Sequence, residues 1–156
     1  MEPSFILLDQ NFKNKSEALI NLVEILHNNG CLNNKQKYLK SIIEREKILS
    51  TYCGHNIAIP HAISKAVEKI SYGFCRTNSM EWDKNDDPVK YILILAIPDI
   101  EKKSDNYHID LMSQVASIAL EEDVRNIWEK AITEKEILKT LTIKSPCGDS
   151  NPEPQD

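Results

Sequence analysis

Apolar positions along this chain recur with two different periods, and each period marks a different kind of element. Between Asn14 and Gly30, residues Leu19, Leu22, Val23 and Leu26 are spaced to form one face of a helix. Asn14 and Glu17 stand in an N-x-x-E capping arrangement at its start, and Gly30 supplies the stop. A second helix follows Asn34, with Tyr38, Leu39, Ile42 and Ile43 as its stripe, and it delivers Glu44, Arg45 and Glu46 at its C-terminal end. Ser50 to Asn56 carries no stripe and reads as a loop. The short extended run Ile57, Ala58, Ile59 comes next, closed by Pro60. Farther along the period falls to two: Ile70, Tyr72 and Phe74 alternate as in a half-buried strand. Val89 to Ile97 is continuously apolar, which marks a central strand covered on both faces. Asp83 to Pro88 turns the chain between these two, and Pro98 closes the second.

The remainder reads as helical. Ser104 or Asp105 caps a helix whose inner face carries His108, Met112, Val115 and Ala119. Val124, Ile127, Trp128 and Ala131 form another stripe, and Thr133 with Glu136 is a second capping box leading to Ile137, Leu138 and Leu141. Residues 145–156, SPCGDSNPEPQD, lack apolar periodicity and are expected to form a flexible C-terminal tail or linker. Strands mixed with helices predict an α/β fold of the α+β sandwich kind, a single domain over residues 1–144 in which helices flank a mixed β-sheet. Strand order is not legible at this level.

Composition narrows the functional classes. A chain of 156 residues is long enough to bury a core without disulfides or metals. Its net charge of -5 and pI near 5.4 argue against nucleic-acid binding and against an anionic membrane surface, both of which call for a basic face. The longest apolar stretch, Tyr91 to Ile97, falls far short of the roughly 20 residues that span a bilayer, so no membrane insertion is expected. Phe5 to Leu8 is too short for a signal-peptide core and is followed at once by Asp9. A cytoplasmic protein is the expectation. Cys31, Cys53, Cys75 and Cys147 show no C-x-x-C spacing and read as isolated thiols.

Candidate chemistry concentrates between Arg45 and His61. Pro60, with its fixed φ and missing N–H, is expected to end the extended run and aim His61 out of the sheet edge on a stiff stalk. Imidazole suits acceptance and release of a group near neutral pH, because an unperturbed pKa of about 6.5 leaves much of it as the neutral nucleophile. Ser50 and Thr51 offer hydroxyl donors, Gly54 lets backbone N–H groups approach closely, and Arg45 brings a permanent forked cation. Such groups suit a phosphoryl oxygen. Each also has an ordinary structural use: a histidine as surface or satisfied core residue, Arg45 as compensation for a helix C-terminus or partner of Glu44 or Glu46, Ser50 and Thr51 as turn residues. Glu44 and Glu46 are expected to be solvated, and His55 to be exposed loop.

The pattern Arg45-Glu46, Ser50-Thr51, Gly54 and Ile57-Ala58-Ile59-Pro60-His61, with a later His108-x-x-Leu111, resembles the enzyme IIA domain of the fructose/mannitol type. Such domains belong to the bacterial phosphoenolpyruvate-dependent sugar phosphotransferase system. The likeness covers nearly the whole chain ahead of the tail and implies a mixed sheet flanked by helices. It implies that His61 takes a phosphoryl group from the histidine-phosphocarrier protein, holds it as a phosphohistidine without a cofactor, and passes it to the IIB domain of a membrane sugar permease. By the same resemblance His108 is the second active-site histidine, Arg45 the family's cation, and Ser50 and Thr51 part of the loop beside it. The loop departs from the family in Tyr52, His55 and Asn56, which often stand as Gly, Asn and Gly. Asn56 tolerates positive φ, whereas Tyr52 would be strained there.

Transfer between two imidazoles moves an already activated group, so alignment and charge compensation are asked of the protein, and magnesium is not required. Two other classes stay open on the sequence. One is a nitrogen-related regulatory IIA protein that uses the same histidine as a phosphorylation switch. The other is a metal- or small-ligand-binding domain, although Cys53, His55, His61 and His108 lack a standard zinc spacing. A carrier docks two partners in turn, so a modest apolar patch is expected near His61, with Tyr52 and Met112 as contributors.

Overall fold

The computed structural model describes residues 3–100 and 104–143, and for residues 104–108 the backbone alone. Its elements run β1 (Phe5–Gln10), α1 (Lys15–Asn28), α2 (Lys35–Ile48), β2 (Ile57–Ala58), β3 (His61–Ser64), β4 (Ser71–Met80), β5 (Val89–Pro98), α3 (Ser104–Ala119), α4 (Glu122–Lys130) and α5 (Glu134–Leu138). The tail expected over 145–156, with Cys147, lies outside the described residues.

The first two helices start where their caps predict. The Asn14 side chain accepts from the backbone N–H of Glu17 at 2.9 Å, and Asn34 accepts from Lys37 at 3.0 Å. Glu17 reaches back to the N–H of Lys13, so both partners of the N-x-x-E arrangement are used. Gly30, at φ 77, ends α1 in the left-handed region that disfavours other residues.

The sheet is mixed, as expected, with β5 in its interior. Strand order is β1-β4-β5-β2, with β3 also pairing β5; β4 and β5 are antiparallel and the other pairs parallel. Strand β5 explains the layering. Ile92, Ile94 and Ala96 join Leu22, Leu26, Tyr38 and Ile42 in a core beneath α1 and α2. Tyr91, Leu93, Leu95 and Ile97 join Leu111, Val115, Trp128 and Ile137 in a second core beneath α3, α4 and α5. A strand covered on both faces has no side left for polar residues, hence the unbroken apolar run. Trp128, Tyr38, Phe74 and Leu22 are each fully buried, and burial of such a side chain contributes about 1.5–3 kcal/mol.

Three expectations need correction. Pro60 interrupts the extended run without ending it: the chain resumes as β3 at His61, still parallel to β5, with His61 opposite Leu95. Pro60, which has no N–H to give, keeps its place beside β5 through its carbonyl, which accepts from Leu95 N at 3.0 Å. Glu46 is 7% exposed and not solvated, whereas Glu44 is exposed. Ile127 and Leu138 face solvent at 40% and 38%, because α4 and α5 are each anchored by a single buried side chain, Trp128 and Ile137. The opening apolar run Phe5 to Leu8, too short for periodicity to type, is a strand that pairs β4.

Candidate active site

His61 sits at the first position of β3, and three contacts fix it there. Its Nδ1 lies 2.8 Å from the carbonyl oxygen of Ile59. A carbonyl can only accept, so the ring hydrogen is on Nδ1 and donates, which leaves the lone pair of the neutral imidazole on Nε2. Opposite His61, Leu95 donates its N–H to Pro60 and accepts at its carbonyl, at 2.6 Å, from the buried hydroxyl of Tyr38. Burial pushes the Tyr38 phenol far above its ordinary pKa, so it stays protonated as a donor and ties α2 to the strand that carries the His61 register. Only 3% of His61 is exposed.

By register His61 shares a face of the sheet with Ile63 and Leu95, the face that α3 covers through Leu111 and Val115. His108 belongs to that helix, and its side chain lies outside the described residues. An open cleft of about 310 Å³ runs beside His61, with Ser41, Glu44, Arg45 and Ile48 of α2 on one wall and His61 to Ile63 on the other.

Arg45 is half-buried in that wall, and its Nη1 donates to the carbonyl of Leu49 at 2.9 Å. It therefore serves the helix C-terminus while facing the cleft. Among the described residues no ion pair joins it to Glu44 or Glu46. Ser50 is a turn residue whose hydroxyl accepts from Tyr52 N at 3.2 Å. Thr51 is 8% exposed and turned away from the cleft: its N–H and its hydroxyl both donate to the Glu46 carboxylate, each at 2.8 Å. The structure thus puts Arg45 and His61 on the lining of one cleft and gives Thr51 to the interior.

The loop backbone resolves the question raised by its sequence. Gly54, His55 and Asn56 are successive left-handed residues, at φ 94, 56 and 64, and Asn56 holds its place by donating from its amide to Pro88 O at 2.7 Å. Tyr52 is not left-handed; it bridges to Ala58, and its hydroxyl accepts from Asn56 N at 3.3 Å. His55 is exposed, as expected. Tyr52 and Met112 are partly buried, each against one of the two cores. Ile48 and Leu49 are 80% and 68% exposed at the end of α2, and Ile48 lines the cleft.

Sequence reasoning missed Glu46, Tyr38 and the Ile59 carbonyl. Glu46 is held by Trp82 and Lys15, 36 and 31 residues away, and no local spacing signals such a hub. Cys31, Cys53 and Cys75 are free thiols, and burial pushes Cys75 up to about 12. Among the described residues, no three His, Cys, Asp or Glu side chains converge as metal ligands do, and no helix is long and apolar enough to cross a membrane.

A mixed sheet between two helical layers, with a carbonyl-pinned histidine beside an arginine at a helix end, defines a small histidine-centred α/β domain. The family model described as "Phosphoenolpyruvate-dependent sugar phosphotransferase system, EIIA 2" matches residues 1–144, and the chain belongs to that family. It is 32% identical over 138 residues to the mannitol-specific phosphotransferase enzyme IIA component of Geobacillus stearothermophilus, covering 87% of this chain and 90% of that protein. Its fold is similar to that of the nitrogen regulatory protein IIA-Ntr from Neisseria meningitidis, with a TM-score of 0.79, 26% identity, and coverage of 89% and 94% of the two chains. It is similar in fold also to the complex of enzyme IIAMTL and phosphorylated enzyme IIBMTL from Escherichia coli, with a TM-score of 0.74 at 22% identity, covering 90% of this chain and 95% of that one. The chain spans only 17% and 21% of the length of the fructose-specific EIIABC components of Mycoplasma pneumoniae and Bacillus subtilis.

Proposed function

We propose that this protein is a phosphoryl carrier of the sugar phosphotransferase system, taking a phosphoryl group onto His61 from the histidine-phosphocarrier protein and giving it to a IIB component of a sugar permease. The observation that carries the reading is the bond from His61 Nδ1 to Ile59 O beside the Arg45 cleft, in a chain that belongs to the EIIA 2 family. With the hydrogen held on Nδ1, the Nε2 lone pair forms the new N–P bond. The bond to the donor imidazole breaks as this one forms, and its electron pair returns to the donor ring nitrogen. Positive charge left on the His61 ring is stabilised by the Ile59 carbonyl dipole. Arg45, and His108 by the family resemblance, compensate the equatorial oxygens, so protein groups supply the alignment and the charge without a cofactor. Reversal of these steps delivers the group to IIB, and Ile48 and Leu49 give each partner an apolar footing beside the cleft. The reaction places the protein in the cytoplasm.

Incubation with phosphoenolpyruvate, enzyme I and the phosphocarrier is expected to label His61 alone, and His61→Ala to abolish the label. A label retained in that variant overturns the reading. The likeness to IIA-Ntr supports a second reading, a regulatory IIA protein that binds other proteins according to its phosphorylation state. Transfer from the labelled protein to sugar-specific IIB domains separates the two, since a regulatory protein leaves them unlabelled.

A further inference from the structure

Resting on the reading of His61 as phosphoryl acceptor, we propose that Glu46 is the positioning residue of that imidazole, acting on it through Thr51 and Ile59. Glu46 lies in the last turn of α2, where the helix dipole opposes an acid, and it is 7% exposed, where burial opposes a charge. Four donors from three separate segments offset both costs. Its Oε1 accepts from the Thr51 hydroxyl at 2.8 Å; its Oε2 accepts from Thr51 N at 2.8 Å, from Trp82 Nε1 at 2.9 Å and, more distantly, from Lys15 Nζ at 3.5 Å.

Two of those four bonds hold a single residue, Thr51. The Thr51 carbonyl in turn accepts from Ile59 N at 3.1 Å, and the Ile59 carbonyl accepts from His61 Nδ1 at 2.8 Å. Only two residues therefore stand between the carboxylate and the imidazole, each bound on both sides. The Glu46 carboxylate fixes Thr51, Thr51 fixes where Ile59 lies, and Ile59 decides which ring nitrogen keeps the hydrogen. A misplacement of about 1 Å in a reacting group can cost on the order of a hundredfold in rate, so this chain bears on transfer without touching phosphorus. Trp82 and Lys15 belong to the same hub but not to this chain, which separates positioning from mere clamping of the helix end.

The test reads the His61 tautomer by ring nitrogen NMR in the absence of any phosphoryl donor, alongside the transfer rate. The wild type is expected to hold its neutral ring as the Nδ1–H tautomer. Glu46→Ala is expected to mix the two tautomers and slow phosphoryl acceptance by about tenfold to a hundredfold. Glu46→Gln is expected to restore both readouts in large part, because an amide oxygen can accept from Thr51 N while its nitrogen donates to the Thr51 hydroxyl. Trp82→Phe removes a donor outside the chain and is expected to lower stability without moving the tautomer. If Glu46→Ala fails to fold, Glu46→Asp, which keeps the charge but draws it back from Thr51 by one methylene, carries the same expectation. A folded Glu46→Ala or Glu46→Asp protein with the wild-type tautomer and rate overturns the proposal, as does a Trp82→Phe protein that mixes tautomers equally. Should His61 prove not to accept phosphate, the tautomer measurement still decides the positioning by itself.

Discussion

Three arginines in this molecule donate to carbonyls at the C-terminal ends of helices, Arg125 at Ala119 among them, and two, Arg76 and Arg45, border open clefts. Arg76 of β4 directs Nη1 at three carbonyls, those of Trp128, Ala131 and Glu129 at 3.0, 2.8 and 3.4 Å, and Nη2 at Asp9 at 3.0 Å. Arg45, among the described residues, gives one bond, to Leu49. The Arg76 cleft is the larger, about 410 Å³ against 310 Å³. Size is therefore a poor guide to chemistry here. Three carbonyls share the two N–H groups of the Arg76 Nη1 and Asp9 takes one of Nη2, so three of its five donors are already engaged by its own fold. A guanidinium that spends a single donor can hold a helix end and still meet an anion.

That contrast can be broken in three ways. The largest expected effect is on Arg45→Ala: phosphoryl acceptance by His61 falls about a hundredfold to a thousandfold in a rapid-quench assay, the scale of losing one preorganised oxyanion partner. Thermal melting shifts little. An unchanged rate would show that Arg45 is as structural as Arg76. Next comes Arg76→Ala, where urea unfolding should register a loss of about 1.5–3 kcal/mol for carbonyls and a carboxylate robbed of a charged donor, while the rate per folded molecule holds. A fall in rate without a fall in stability would assign the chemistry to the wrong cleft. The smallest effect concerns a helix start, where no arginine takes part. Glu136 accepts from the N–H groups of Ile132 and Thr133, bonds that hold its carboxyl below the usual glutamate range. A depressed folded pKa means that the stabilisation is complete above the unfolded value of about 4.3 and is lost as pH falls through the lowered one. The stability gap between wild type and Glu136→Gln should accordingly close on acidification, as followed by circular dichroism.

Much of the fold was legible because it follows from local rules. Asn14 and Asn34 cap where their side chains can reach the third N–H, and β5 is apolar throughout because both of its faces are covered. Asn56 was readable as left-handed from its own chemistry, and a cleft lined by both Arg45 and His61 agrees with the family resemblance of the segment. What stayed hidden depends on residues distant in sequence. The buried Glu46 carboxylate is met by Trp82 and Lys15, and the carbonyl of Leu95, opposite His61, by the Tyr38 hydroxyl. Pro60 misled for a related reason: its missing N–H argues for a strand end, yet the pairing with β5 resumes one residue later because only its carbonyl is used.

The break at Pro60 has a consequence beyond the imidazole that follows it. β2 and β3 form a border of the sheet, and on the near side of Pro60 the chain's own loop covers it: Cys53 N donates to Ile57 O at 2.9 Å and Ile59 N to Thr51 O at 3.1 Å. Past Pro60 the border continues only as β3, four residues long, and so short an edge is a poor template for a foreign strand.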